Sequence, residues 1–99
     1  MSRTIGFKRV ARVEFDDAIA FYEEKELGLG LRFENATNAV LDRIRKNPEH
    51  FSKLARSVHK ARVPKFPHRI YFTEVSEKII VVSVYHGARN PDELKRRLR

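Results

Sequence analysis

The chain has 99 residues, enough for one domain, with 41% hydrophobic and 34% charged side chains and a formal net charge of +8. It has no cysteine, which excludes disulfide scaffolds, Cys-ligated zinc and thiol catalysis. No apolar run approaches a membrane span, the first residues hold no apolar signal core, and Gly and Pro are scarce, so a single soluble intracellular (cytoplasmic) domain over 1–99 is expected.

Residues 3–9 read as a short first strand. From Val10 the period changes: Ala11, Phe15, Ala18, Ile19 and Tyr22 recur at helical spacing, with Asp16, Asp17, Glu23 and Glu24 largely off the stripe. Pairing with nearby cations such as Arg12 and Lys25 accounts for these acids. Gly28 suits the residue after this helix, because it takes positive φ at no steric cost. A second helix is predicted from Leu29 to Asn47, with Phe33, Thr37, Val40, Leu41 and Ile44 as its stripe and Pro48 as its stop. So short a link predicts an antiparallel helical hairpin.

The second half reads as β. Val58–Val63 alternates, placing Lys60 and Arg62 on one face and His59, Ala61 and Val63 on the other. Residues 64–67 hold two prolines and break the strand. Arg69–Val75 is a further run, Glu77-Lys78 a turn, and Ile79–Tyr85 a nearly continuous apolar run that predicts a central strand buried on both faces. Asn90, Pro91 and Glu93 have the chemistry of an N-cap, a first helical residue and a capping box, so a short helical tail is predicted. The order β-α-α-β-β-β with a tail is α+β: a helical hairpin on one face of a small antiparallel sheet, leaving the other face open.

The charge is unevenly placed. The first 50 residues hold nine basic and nine acidic side chains, while residues 51–99 hold twelve basic and four acidic, so the whole excess belongs to the β half and the tail. Within it Lys60, Arg62, Arg69, His86 and Arg89 converge if the strands pair as hairpins. Guanidinium and ammonium groups around one groove suit a phosphate or an acidic peptide. The alternative for Lys60 and Arg62 is an edge strand kept soluble by its charges. His86 stands beside Gly87 at the end of the central run, where an imidazole can move protons or simply fix the strand end. The remaining histidines (His50, His59, His68) read as surface or packing residues. Phe66, Tyr71, Phe72 and Tyr85, among these cations, suit either base stacking or a core. No histidine spacing suits a metal, no phosphate-binding glycine loop is present, and no cofactor is expected.

Several motifs occur in a telling order. Ala11-x-x-Glu14-x-x-x-Ala18-x-x-x-Tyr22-Glu23 is followed by Gly28-Leu29-x-x-x-Phe33 and a helix ending at Asn47-Pro48. Then come Ala61-Arg62-Val63-x-x-Phe66-Pro67-x-Arg69-Ile70-x-Phe72 and Val82-x-Val84-x-His86-x-x-Arg89-x-Pro91. Over nearly the full chain this resembles the RelE/ParE superfamily of toxins from bacterial type II toxin–antitoxin (plasmid stabilisation) systems. The resemblance implies the same fold, a toxic activity, and a cognate antitoxin that binds through an acidic, partly disordered segment. RelE-like members cleave mRNA on the ribosome. By that resemblance Lys60 and Arg62 match the basic pair of the second strand, Arg69 the basic residue of the third and Arg89 the one after the last, with His86 as substitute acid. The C-terminal tyrosine of those ribonucleases has no counterpart in the tail here. The His86-x-x-Arg89-x-Pro91 ending is more similar to ParE, whose members inhibit DNA gyrase. A small basic nucleic-acid-binding module is the reading that needs no resemblance.

Overall fold

The helical stripes determine which faces are buried. The computed structural model of the chain describes residues 3–55, 57–87, 92 and 96. Helix α1 (Arg9–Lys25) buries Ala11, Phe15, Ala18 and Tyr22, and helix α2 (Leu29–Lys46) buries Phe33, Thr37, Val40, Leu41 and Ile44, as their spacing predicts. A single 3-10 turn, Pro48–His50, follows α2. Gly28 takes the expected left-handed conformation, φ 87°, but as the residue opening α2; α1 already ends at Lys25, with Glu26 as its cap. No residue beside the start of α2 caps it with a side chain. Instead the Glu23 carboxylate of α1 accepts the N–H groups of Gly28 at 2.9 Å and Gly30 at 3.0 Å. A carboxylate is favoured there because the first N–H groups of a helix lack internal partners and carry partial positive charge. Glu23 therefore locks the hairpin, a role that pairing within one helix does not describe.

Five strands form one sheet in the order β1-β5-β4-β3-β2. They are β1 (Thr4–Phe7), β2 (Lys53–Ala55), β3 (Val58–Arg62), β4 (His68–Val75) and β5 (Lys78–His86). Three of the four pairings are antiparallel, as expected. The fourth departs from the expectation: β1 runs parallel to β5, from Thr4 opposite Lys78 to Phe7 opposite Val81. No hairpin joins these two strands, so no turn dictates their direction. The apolar strand β5 needs a partner on each edge, β4 supplies one, and β1 the other. Strand β2 was not among the predicted elements. The β4–β5 turn falls on Ser76 and Glu77, one residue earlier than predicted, with φ 48° and 65°. Two positive φ values in a two-residue loop match the twist of an antiparallel hairpin.

Between Tyr71 and Phe72 the β4–β5 register slips: Phe72 faces Val81 and Tyr71 faces Ser83, leaving Val82 as a bulge. An extra residue exchanges the two faces of a strand from that point onward. Before the bulge Ile79 and Val81 meet the helices; after it Val84 does. The main core joins these to Phe15, Phe33, Ile44, Ile70 and Phe72. The opposite face is not open, as the sequence had suggested. It carries a second buried cluster of Tyr71, Val82 and Tyr85, flanked by Leu54, Val58 and Ile80. Three of the four aromatics that lie among the cations are thus buried, and Phe66 packs against the core.

Candidate functional site

Strand alternation puts Lys60 and Arg62 on the face turned away from the helices. Their partners in register are Tyr71 for Lys60 and Arg69 for Arg62, so Arg69 shares that face. Two arginines directly opposite one another repel unless an anion lies between them or one guanidinium turns aside. Arg69 does turn aside. Its Nη1 reaches the Pro67 carbonyl at 3.4 Å, the same oxygen that accepts the Gly87 N–H at 2.7 Å. Gly87 leaves the room for this: a Cβ there would stand 1.8 Å from Arg69 Nη1 and 2.8 Å from Pro67 O. Gly87→Ala should therefore unseat the guanidinium and cost about 1 kcal/mol through overpacking. Thermal denaturation reads the cost, and an unchanged melting temperature would mean that the seat is not needed.

His86 does not join these cations. Because of the bulge it stands opposite His68, with the two rings 5.2 Å apart, and His68 lies on the helix side. The two imidazoles, Glu14, Asp17, Phe21 and Val84 line a cavity of about 270 Å³ against α1. His68 is buried among rings: Tyr22, Phe33 and His86 each lie within 5.6 Å, and Tyr22 Oη is 3.1 Å from His68 Nδ1. Burial first, and the neighbouring His86 second, hold the His68 imidazole down at about 4, with Glu14 opposing. It is therefore neutral near neutral pH. Burial also raises the phenols of Tyr22 and Tyr71; Arg69 opposes the rise at Tyr71.

Glu14 has a structural task the sequence did not announce. Strand β1 pairs with β5 only as far as Val81, so among the described residues no strand lies beside the following edge of β5. Glu14 Oε1 takes that place, accepting the Val84 N–H at 3.0 Å and the Ser83 hydroxyl at 2.9 Å. The only available hint is that Glu14 lies between the apolar positions Ala11 and Phe15 instead of opposite them.

Of the predicted residues, the fold thus brings Lys60, Arg62 and Arg69 together and sends His86 to the other side of the sheet. Arg89, and with it the predicted cap of the tail helix, lies outside the described residues; Asp92 and Arg96 have helical backbone. His50 is exposed after α2, and His59 stacks on Phe72 at 5.2 Å, on the face opposite Lys60 as its alternation predicts. Among the described residues no three His, Asp or Glu side chains are arranged to hold a metal, and no helix is long and apolar enough to cross a membrane.

No curated protein matches the sequence at a significant level. Among solved structures, a chain of the "Chromosomal ParDE TA system from P. aeruginosa" superposes with a TM-score of 0.71 at 11% identity, covering 86% of this chain and 96% of that one. At such identity the likeness is one of fold. Residues 5–91 match the family described as "ParE toxin of type II toxin-antitoxin system, parDE". The match spans most of the molecule, and the chain belongs to the ParE toxin family of type II toxin–antitoxin systems.

Proposed function

We propose that this protein is the toxin of a two-component pair, that it inhibits DNA gyrase by binding and not by cleavage, and that an acidic antitoxin segment neutralises it. The observation that carries this reading is the separation of His86 from Lys60, Arg62 and Arg69 by the thickness of the sheet. Cleaving a phosphodiester needs a proton donor and acceptor within hydrogen-bond reach of the cations that hold the phosphate. Arginine cannot give up its proton at physiological pH, and burial pushes the Tyr71 phenol up, away from the range of a base, so of the groups named on this face a ribonuclease reading is left with the Lys60 ammonium alone to move a proton. The cationic face is built to hold an anionic surface, either that of a target or that of a partner.

Gyrase and the ribosome both work in the cytoplasm, where this reading places the protein. The test is controlled expression with and without the neighbouring open reading frame, followed by assays of supercoiling and translation. Growth arrest relieved by the neighbour, with supercoiling lost at micromolar toxin and mRNA intact, is the expected result. Unimpaired supercoiling together with cleaved mRNA would overturn it in favour of a RelE-like ribonuclease.

A further inference from the structure

We infer that the groove beside the Lys60–Lys65 end of β3, past the end of its pairing with β2, binds the phosphate backbone of double-stranded DNA. The groove has a volume of about 560 Å³ and runs between β3 and the end of α2. Arg43, His50, Lys60, Arg62 and Lys65 line it, and among the described residues no aspartate or glutamate does. These five come from four different elements: α2, the 3-10 turn, β3 and the turn after it. Two acids adjoin the lining residues in sequence: Asp42, held by Arg45 at 2.9 Å, and Glu49, which is exposed and does not line the groove. A single-signed groove of this kind concentrates a polyanion.

Two local features bear on how these cations are presented. Arg43 lies over the Phe51 ring at 5.6 Å, so its guanidinium is seated in advance. Lys65 occupies a backbone position that normally goes to glycine. The Phe66 N–H donates to the Val63 carbonyl at 3.1 Å, closing a turn with Pro64 and Lys65 at its centre, and Lys65 has φ 70°. Proline followed by a residue of positive φ is the pattern of a type II turn, where glycine is favoured. A lysine there carries a backbone strain of about 1 kcal/mol. Its side chain is exposed and lines the groove.

The lining also selects among anions. Phe51 is occupied by Arg43 on its face and by Phe72 in an edge-on contact at 5.8 Å, so the groove has no free aromatic platform for unpaired bases. Ala61 and Val63 are buried, which leaves no apolar pockets for the alternate side chains of an added peptide strand. Repeated charge on a regular backbone is the remaining match, and duplex DNA presents it.

The inference goes beyond the action on gyrase, and its test contains no gyrase. Binding of a short fluorescent DNA duplex is measured by anisotropy over a range of salt. With Arg43, Lys60, Arg62 and Lys65 each on a phosphate, log affinity should fall with log salt at a slope of about −3.6. Arg43→Gln with Lys65→Gln should weaken binding about tenfold or more and bring the slope to about −1.8. Lys8→Gln with Arg9→Gln removes the same charge beside β1, at the other edge of the sheet, and should leave the slope unchanged. Lys65→Gly should fold at least as well as the parent, by relieving the turn, yet bind DNA more weakly. Equal losses from the two double variants, or no loss from the groove variants, would overturn the inference. So would tighter binding of poly-glutamate than of the duplex, which would mark the groove as a site for an acidic peptide.

Discussion

Phe33→Ala is expected to leave the protein largely unfolded at growth temperature. Phe33 is fully buried and stands at the centre of the ring cluster, with Tyr22 at 5.0 Å, Phe66 and His68 at 5.1 Å and Phe15 at 5.9 Å. These rings come from both helices, from β4 and from the loop before it, so no single element can close the gap left by a truncated side chain. Such a truncation costs about 3–5 kcal/mol, in a domain whose whole stability is about 5–15 kcal/mol. Denaturant unfolding followed by circular dichroism reads the change directly. A loss below about 1 kcal/mol would mean that the cluster repacks, as cores sometimes do when their surroundings can collapse.

The second large effect is one of pH. An imidazole in an unfolded chain titrates near 6.5, whereas His68 in the folded protein is held at about 4. Between those values the unfolded state binds a proton that the folded state refuses, so stability falls as the pH is lowered through this window. Above it neither state is protonated at His68, and the group no longer affects the balance. Because His68 is only 9% exposed, little solvent screening reduces the effect, and the gap corresponds to about 3 kcal/mol. The groups that face His68 are Tyr22 and Glu14 from α1 and His86 from β5. His68→Asn keeps a polar group near Nδ1 for Tyr22 but cannot titrate. Its unfolding free energy should lose about 3 kcal/mol less than that of the parent between about pH 6.5 and about pH 4. Parallel pH profiles for the two proteins would overturn the assignment. Carboxylates titrate in both, so the difference reports the His68 imidazole together with its coupling to His86 and Glu14.

How much of this was legible in the sequence depends on the range of the interaction concerned. Both helices were legible because their apolar stripes are local and repeat over several turns. The cationic pair Lys60 and Arg62 was legible because alternation in a strand is equally local, and Arg69 followed once β3 and β4 were paired. Strand β2 was not, because three residues give no alternation to detect. His86 was misplaced for a more instructive reason. Counting by twos from Ile79 puts His86 on the face away from the helices, and one bulge at Val82 reverses the count. No residue type at that bulge distinguishes it from the valines and isoleucines around it. Glu14 and Glu23 were hidden likewise: each serves an orphaned N–H group in another element, and the need exists only once the chain has folded.

The parallel pairing of β1 also has a consequence for the order of assembly. The α1–α2 hairpin and the β3–β4–β5 meander each join neighbours in sequence, so their contacts close short loops. Thr4, by contrast, meets Lys78, and nearly the whole chain must be ordered between them. Closing a longer loop costs more conformational entropy, and contacts of wide sequence separation slow folding. Strand β1 is therefore expected to be placed last, with the Lys78–Val81 edge of β5 exposed until it arrives. Its docking is a late step, and changes at Ile5 or Phe7 should speed unfolding more than they slow folding.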